Sequence, residues 1–193
     1  MKFSLDLITA PAVEPVSLDE AKAHCRVTAS TDDTYITALV KAARRMCERG
    51  TGRLLVTQTW DVVLDRFPSG PTWKLPVSPV QSITHIKYYD GAGTQQTWSS
   101  AQYQLLKSSH APSIALLPGY SWPSVQIDRA MPIEIRCVCG YGLAPAVPED
   151  LKQWILVMVS GLYEKREPVQ EGSLSEVKFL DGLLDGESVS GVG

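Results

Sequence analysis

The apolar residues of this chain change their spacing twice, and that change constrains the fold more than any other feature. From Ile36 to Cys47 they fall at Ile36, Leu39, Val40, Ala43, Met46 and Cys47, one stripe of a helix with 3.6 residues per turn. From Leu54 the period drops to two. Val56, Gln58, Trp60, Val62 and Leu64 alternate with Thr57, Thr59, Asp61, Val63 and Asp65, in a stretch rich in β-branched and aromatic residues. Beyond Pro148 the helical spacing returns. The chain therefore reads helix, helix, β unit, helix, tail.

The helix ends carry their own signals. "SLDE" at 17 to 20 is a capping box, in which the Ser17 hydroxyl accepts from the amide of Glu20 while the Glu20 carboxylate reaches back to the amide of Ser17. A short helix from Leu18 to about Cys25 follows. Thr31 or Asp32 starts the second helix, and Gly50 and Gly52 stop it. Pro148 suits the first turn of the third, Glu149 and Asp150 complement its dipole, and it runs from about Leu151 to Glu164. Leu151, Trp154, Ile155, Met158 and Leu162 form its core face. Leu156, Val157 and Val159 fill most of the rest, so protein is expected all around it.

Between the helices, strands are predicted at "WKL", on both sides of a "DGAG" hairpin turn, and at "YQLLK", "SIALL" and "IEIRCVC". The predicted class is α+β: a small α-helical bundle, two N-terminal helices plus one C-terminal helix, interrupted by an antiparallel β insertion. The expected divisions are 1–53 for the N-terminal helices, 54–139 for the β insertion, 140–171 for the closing helix and 172–193 for a C-terminal tail. That tail holds one weak amphipathic segment, Leu174, Val177, Phe179, Leu180, Leu183 and Leu184, suited to ordering on a partner.

Composition excludes several classes. Residues 1–147 carry 14 basic against 12 acidic groups, and 148–193 carry 4 against 9, so the C-terminal end is no nucleic-acid grip. The N-terminus lacks a basic-then-apolar signal architecture, and the longest apolar block, "WILVMV", is far short of the ~20 residues of a membrane span. A soluble, intracellular protein is expected. Cys25, Cys47, Cys137 and Cys139 show no CxxC and no zinc-type spacing with His24, His85 or His110, so they read as free thiols and no metal or other cofactor is expected.

Catalytic patterns are missing too. "GAG" and "GYG" do not extend to G-x-G-x-x-G, and no serine stands in a G-x-S-x-G elbow. Glu164 and Glu167 read as a solvated helix end. The main feature outside the core is basic: Lys41, Arg45, Arg49 and Arg53 step by four and share a helix face, with Arg44 placed to pair with Glu48. This stripe is a candidate for a subunit or DNA-channel interface. Trp60, Trp73, Tyr88, Tyr89, Trp98 and Trp122 lack interleaved Lys and Arg and read as packing between sheets.

"PVSLDEAKAHCRV", then "DDTYITALVKAARRMCERGTGRLLVTQTW", then "GYGLAPAVPEDLKQWILVMVSGLYEKRE" occur in the order and spacing of a known family. Over residues 15–60 and 140–167 the chain resembles the head-tail connector (adaptor) proteins of long-tailed bacteriophages and prophages, with Cys25 standing where a leucine-like residue is expected. The resemblance implies a structural virion protein at the head-tail junction, made in the bacterial host cytoplasm. It implies a ring of copies, a dodecamer, under the portal protein. DNA passes through the ring, a tail or head-completion protein attaches to it, and no reaction is catalysed. Two other readings compete. An attachment or tail-associated β module would expose aromatics around Trp98, Tyr120 and Trp122. An enzyme would assemble scattered residues such as His85, Asp90 and His110.

Overall fold

The computed structural model describes residues 1–108 and 110–165. They form two compact units, one from residues 1–12 and 57–141, the other from residues 13–56 and 142–165. The tail positions Leu174, Val177, Phe179, Leu180, Leu183 and Leu184, and Glu167 with them, lie outside the described residues. The α+β class holds, with helices in one unit and antiparallel sheets in the other.

The helical unit contains α1 (Leu18–Cys25), α2 (Asp33–Thr51) and α3 (Glu149–Glu164). The capping box forms as expected: the amide of Glu20 donates to Ser17 Oγ at 3.2 Å, and the Ser17 amide donates to Glu20 Oε2 at 2.7 Å. Asp32 is the N-cap of α2, but its carboxylate does not cap the helix. It accepts the hydroxyl proton of Tyr163 on α3 instead, and the Tyr163 and Tyr35 rings lie 6.1 Å apart, so the two helices are latched at that end. Lys22 on α1 pairs with Asp33 at 2.6 Å.

One expectation about α2 and one about α3 need correction. Gly50 does not stop α2; the helix runs on to Thr51 and ends at Gly52, whose φ of 69° lies in the left-handed region that a side chain disfavours. The apolar stripe is otherwise as read, with Ile36, Val40, Ala43 and Cys47 buried. On α3, Leu151, Trp154, Ile155 and Met158 are buried together with Val159, whereas Leu162, Leu156 and Val157 are only half-buried. The helix is thus not enclosed all round within the described residues, because α1 and α2 pack against one side of it.

The β unit holds β1 (Phe3–Thr9), β2 (Gln58–Leu64), β3 (Thr72–Lys74), β4 (Val80–Tyr89), β5 (Gln95–Thr97), β6 (Tyr103–Leu106), β7 (Ser113–Leu116) and β8 (Ile133–Cys139). One sheet has the order β1-β2-β8-β4-β5 and the other β3-β7-β6, all neighbours antiparallel. β1 is absent from the sequence reading, which assigns residues 1–53 to the helices. Central β8 shows why the alternation works: Ile133, Ile135, Cys137 and Cys139 are fully buried, and across the ladders Ile135 meets Val62 on one side and Ile86 on the other.

The opposite face of that sheet carries a polar row. Asp6, Asp61, Arg136 and His85 lie side by side on β1, β2, β8 and β4. Arg136 grips Asp61 with two hydrogen bonds of 2.7 and 2.6 Å, and His85 Nε2 lies 2.9 Å from Glu134. The hydrogen bond to Asp61 also holds the Arg136 guanidinium pKa above its ordinary value.

Candidate functional site

The aromatic residues that a ligand-binding module would expose are packed on one another. Trp98 stacks on Tyr103 at 5.0 Å, Phe67 on Trp122 at 5.1 Å, and Trp98 lies 5.1 Å from Trp122. Their indole N–H groups are used internally: Trp122 donates to the Gly70 carbonyl at 2.8 Å and Trp98 to Gln102 Oε1. Trp73 is buried on β3, while Trp60, Tyr88 and Tyr89 are half-buried. Of the three aromatics singled out for that module only Tyr120 is exposed.

Of the residues grouped for a scattered enzyme site, two have a local structural role. His85 pairs with Glu134. Asp90 closes the β4–β5 hairpin by accepting from the amides of Ala92 and Thr94, both at 3.0 Å, and from Gln96, contacts that lower its carboxyl pKa. His110 is exposed in the loop before β7. In the helical unit, a groove of about 530 Å³ is floored by Val16 and Val40 and bordered by Ser17, Glu20 and Lys152. Its serine and one of its two carboxylates are the capping box, Ser17 Oγ lying 2.7 Å from Glu20 Oε2, and the other carboxylate, Glu14, accepts from Arg44 Nε at 2.7 Å. Among the described residues no group of three or more His, Cys, Asp or Glu side chains is placed to hold a metal ion, and no helix is long and apolar enough to cross a membrane.

The thiols are free: Cys47, Cys137 and Cys139 are buried and Cys25 half-buried. Burial, with Glu48 nearby, pushes the Cys47 thiol up to about 12. Cys137 is pushed far up by its hydrogen bond with Cys139 and by burial.

What remains is the charge pattern of α2. Arg44 is buried, its Nε donating to Glu14 Oε2 and its Nη1 to Glu48 Oε2, both at 2.7 Å. Glu48 Oε1 accepts from the amide of Leu55 at 3.0 Å. The network ties the segment leading into α1 and the segment leaving α2 to the same helix turn. Periodicity gives the pairing of Arg44 with Glu48, but Glu14, thirty residues earlier, leaves no local signal. Lys41, Arg45 and Arg49 are exposed on one face and have no ion-pair partner among the described residues. Arg53 is not with them. It lies beyond the C-cap and is buried, because the chain turns inward at Gly52 toward the buried Leu55 and Val56.

The described residues thus offer a helical unit with an open basic face and a β unit whose large aromatics pack on one another. Residues 15–108 match the family described as "Phage gp6-like head-tail connector protein". Over that segment, just under half of the chain, the chain is similar to a family of structural head-tail connectors. No curated protein matches it significantly. Its fold is shared by chains in the neck of an empty GTA particle computed with C6 symmetry (TM-score 0.83, 23% identity) and in the virion of a native gene transfer agent particle (0.81, 23%). It is shared also by a chain in the neck of a native GTA particle computed with C12 symmetry (0.77, 21%). Each comparison covers 98% of this chain and 97% of the other.

Proposed function

We propose that this chain assembles as a ring of copies, a dodecamer, at the head-tail junction, docked on the portal protein on one side and receiving the tail or a head-completion protein on the other. The match of residues 15–108 to the connector family carries this reading. The likeness along almost the whole chain to chains of symmetric neck assemblies supports it. DNA passes through the ring without sequence-specific contact, in keeping with a formal net charge of -3 and the absence of a base-reading motif among the described residues. The protein is made in the host cytoplasm and works in the virion.

A cyclic ring needs two different faces on each copy. The exposed Lys41, Arg45 and Arg49 supply one. The acidic C-terminal end supplies the other, since residues 166–193 carry six acidic groups against two basic. The apolar positions of that end, Leu174, Val177, Phe179, Leu180, Leu183 and Leu184, anchor it on the portal or on the adjacent copy. Arg53, being buried, is not part of this surface.

The test is particle production from a genome with this gene deleted. Filled heads without tails, restored to whole particles by the gene in trans, are expected. Whole, tailed particles in the absence of the protein would overturn the reading.

A further inference from the structure

The groove of the helical unit and the basic stripe of α2 lie end to end. Val13, Pro15 and Val16 before α1, Leu18 of α1, Val40 of α2 and Pro145 before α3 give the groove its apolar lining. Its volume of about 530 Å³ falls within the roughly 300–1,000 Å³ of sites that enclose a ligand. Val13 at the rim is 46% exposed, and Leu143, next to the lining residue Ala144, is 70% exposed. The charges on its border are engaged: Glu14 by Arg44, Glu20 by the Ser17 amide, and Lys152 by Glu149 at 3.5 Å. The groove therefore suits apolar side chains. Thr37 also lines it, and Thr37, Lys41, Arg45 and Arg49 are successive members of one i, i+4 row of α2. The groove thus opens onto three exposed cations that have no ion-pair partner among the described residues.

An occupant matched to this surface combines apolar side chains with negative charge. Residues 166–193 have that composition: six acidic groups against two basic, with the apolar residues gathered between Leu174 and Leu184. Their point of departure also fits. Tyr163 donates its hydroxyl proton to Asp32, the N-cap of α2, so the chain leaves α3 after Lys165 beside the end of α2 from which the row Thr37 to Arg49 sets out. That row spans about 18 Å at ~1.5 Å per helical residue. The nine steps from Lys165 to Leu174 reach up to about 30 Å. A segment tethered this closely acts at roughly millimolar effective concentration, well ahead of a separate copy at micromolar dilution.

We infer that in the unassembled protein residues 174–184 of the chain's own tail occupy this groove, with the tail's carboxylates set against Lys41 and Arg45. The contact covers the basic face that a neighbouring copy needs, so it keeps free chains apart until a docking partner draws the tail away. The docking itself is independent of the ring reading above; only this consequence rests on it.

Disulfide trapping on the full chain tests it, with Val13→Cys and Leu180→Cys introduced together and Cys25→Ser removing the half-buried thiol. Under mild oxidation of a dilute sample, peptide mass mapping should find positions 13 and 180 joined within one chain. Joining between two chains would overturn the inference by making a second copy's tail the occupant, and no joining at all would overturn it outright. Hydrogen exchange of residues 12–18 gives a readout without new cysteines. Exchange there should be at least fivefold slower in the wild-type chain than in a full chain carrying Leu180→Asp and Leu184→Asp. Should the cysteine variant misfold, this comparison decides, and equal exchange in the two chains overturns the inference. Neither readout involves the portal, so failure of the connector reading would leave both results unchanged.

Discussion

Arg44 Nε lies 2.7 Å from Glu14 Oε2, so a residue in the middle of α2 fixes the segment that leads into α1. The same guanidinium holds Glu48, and Glu48 holds the amide of Leu55, so one buried cation organises three stretches of chain. Removing it leaves two largely buried carboxylates facing each other without a counter-charge. Arg44→Ala should cost about 3–5 kcal/mol in a urea unfolding titration. Arg44→Met together with Glu14→Gln and Glu48→Gln should cost clearly less, because no uncompensated charge remains. Equal losses in the two variants would assign the cost to packing.

The capping box makes the helical unit sensitive to acid. Hydrogen bonds from Ser17, the backbone amide first, hold the Glu20 carboxyl below its ordinary value. Because the folded pKa is the lower one, this stabilisation is present above the unfolded value and lost as pH falls through the folded value. Between about pH 6 and pH 3, the wild-type protein should lose more thermal stability than Glu20→Gln. Parallel pH profiles for the two would contradict the box's role. Ser17→Ala at neutral pH should cost about 0.5–2 kcal/mol.

The thiols should separate by burial. In the native protein Cys25, the half-buried thiol, should react first with an alkylating reagent, and the rise of its rate with pH should come later than for a free thiol, since burial and then Glu164 raise its pKa. Cys47, Cys137 and Cys139 should stay unlabelled until urea opens the fold. Peptide mass mapping that found Cys137 modified as quickly as Cys25 would contradict the description of β8 as the centre of the core.

The open face of α2 should matter to assembly and not to folding. Lys41→Glu, Arg45→Glu and Arg49→Glu combined should leave the unfolding midpoint within about 0.5 kcal/mol, the range of exposed substitutions. The same variant should reduce ring formation at least tenfold in an ultracentrifugation assay. Wild-type assembly should itself weaken as salt rises from about 0.05 to 0.5 M. Undiminished assembly of the triple variant would remove this face from the interface.

Much of the helical unit is legible in the sequence because its signals are local. The capping box, the stripe from Ile36 to Cys47 and the acidic start of α3 each lie within a few residues of the feature they specify. What was not legible depends on distant partners. Gly50 reads as a stop, yet the helix continues one residue past it because the left-handed turn falls at Gly52. Arg53 keeps the spacing of the basic stripe, but spacing carries no information once the helix has ended. The alternation of Phe3, Leu5 and Leu7 with Ser4 and Asp6 was there to be read as a strand. Its partner lies nearly sixty residues away, and a short run closed by Pro11 and Pro15 gives no hint of it. The aromatic set is legible as packing, whereas the division into sheets of five and three strands follows only from the register.

Native mass spectrometry of the full-length chain mixed with its cognate portal ring tests the connector assignment most directly. Each portal ring should take up a fixed complement of copies, one per portal subunit. Portal rings that stay bare at low salt, where charge-led docking is strongest, would contradict it.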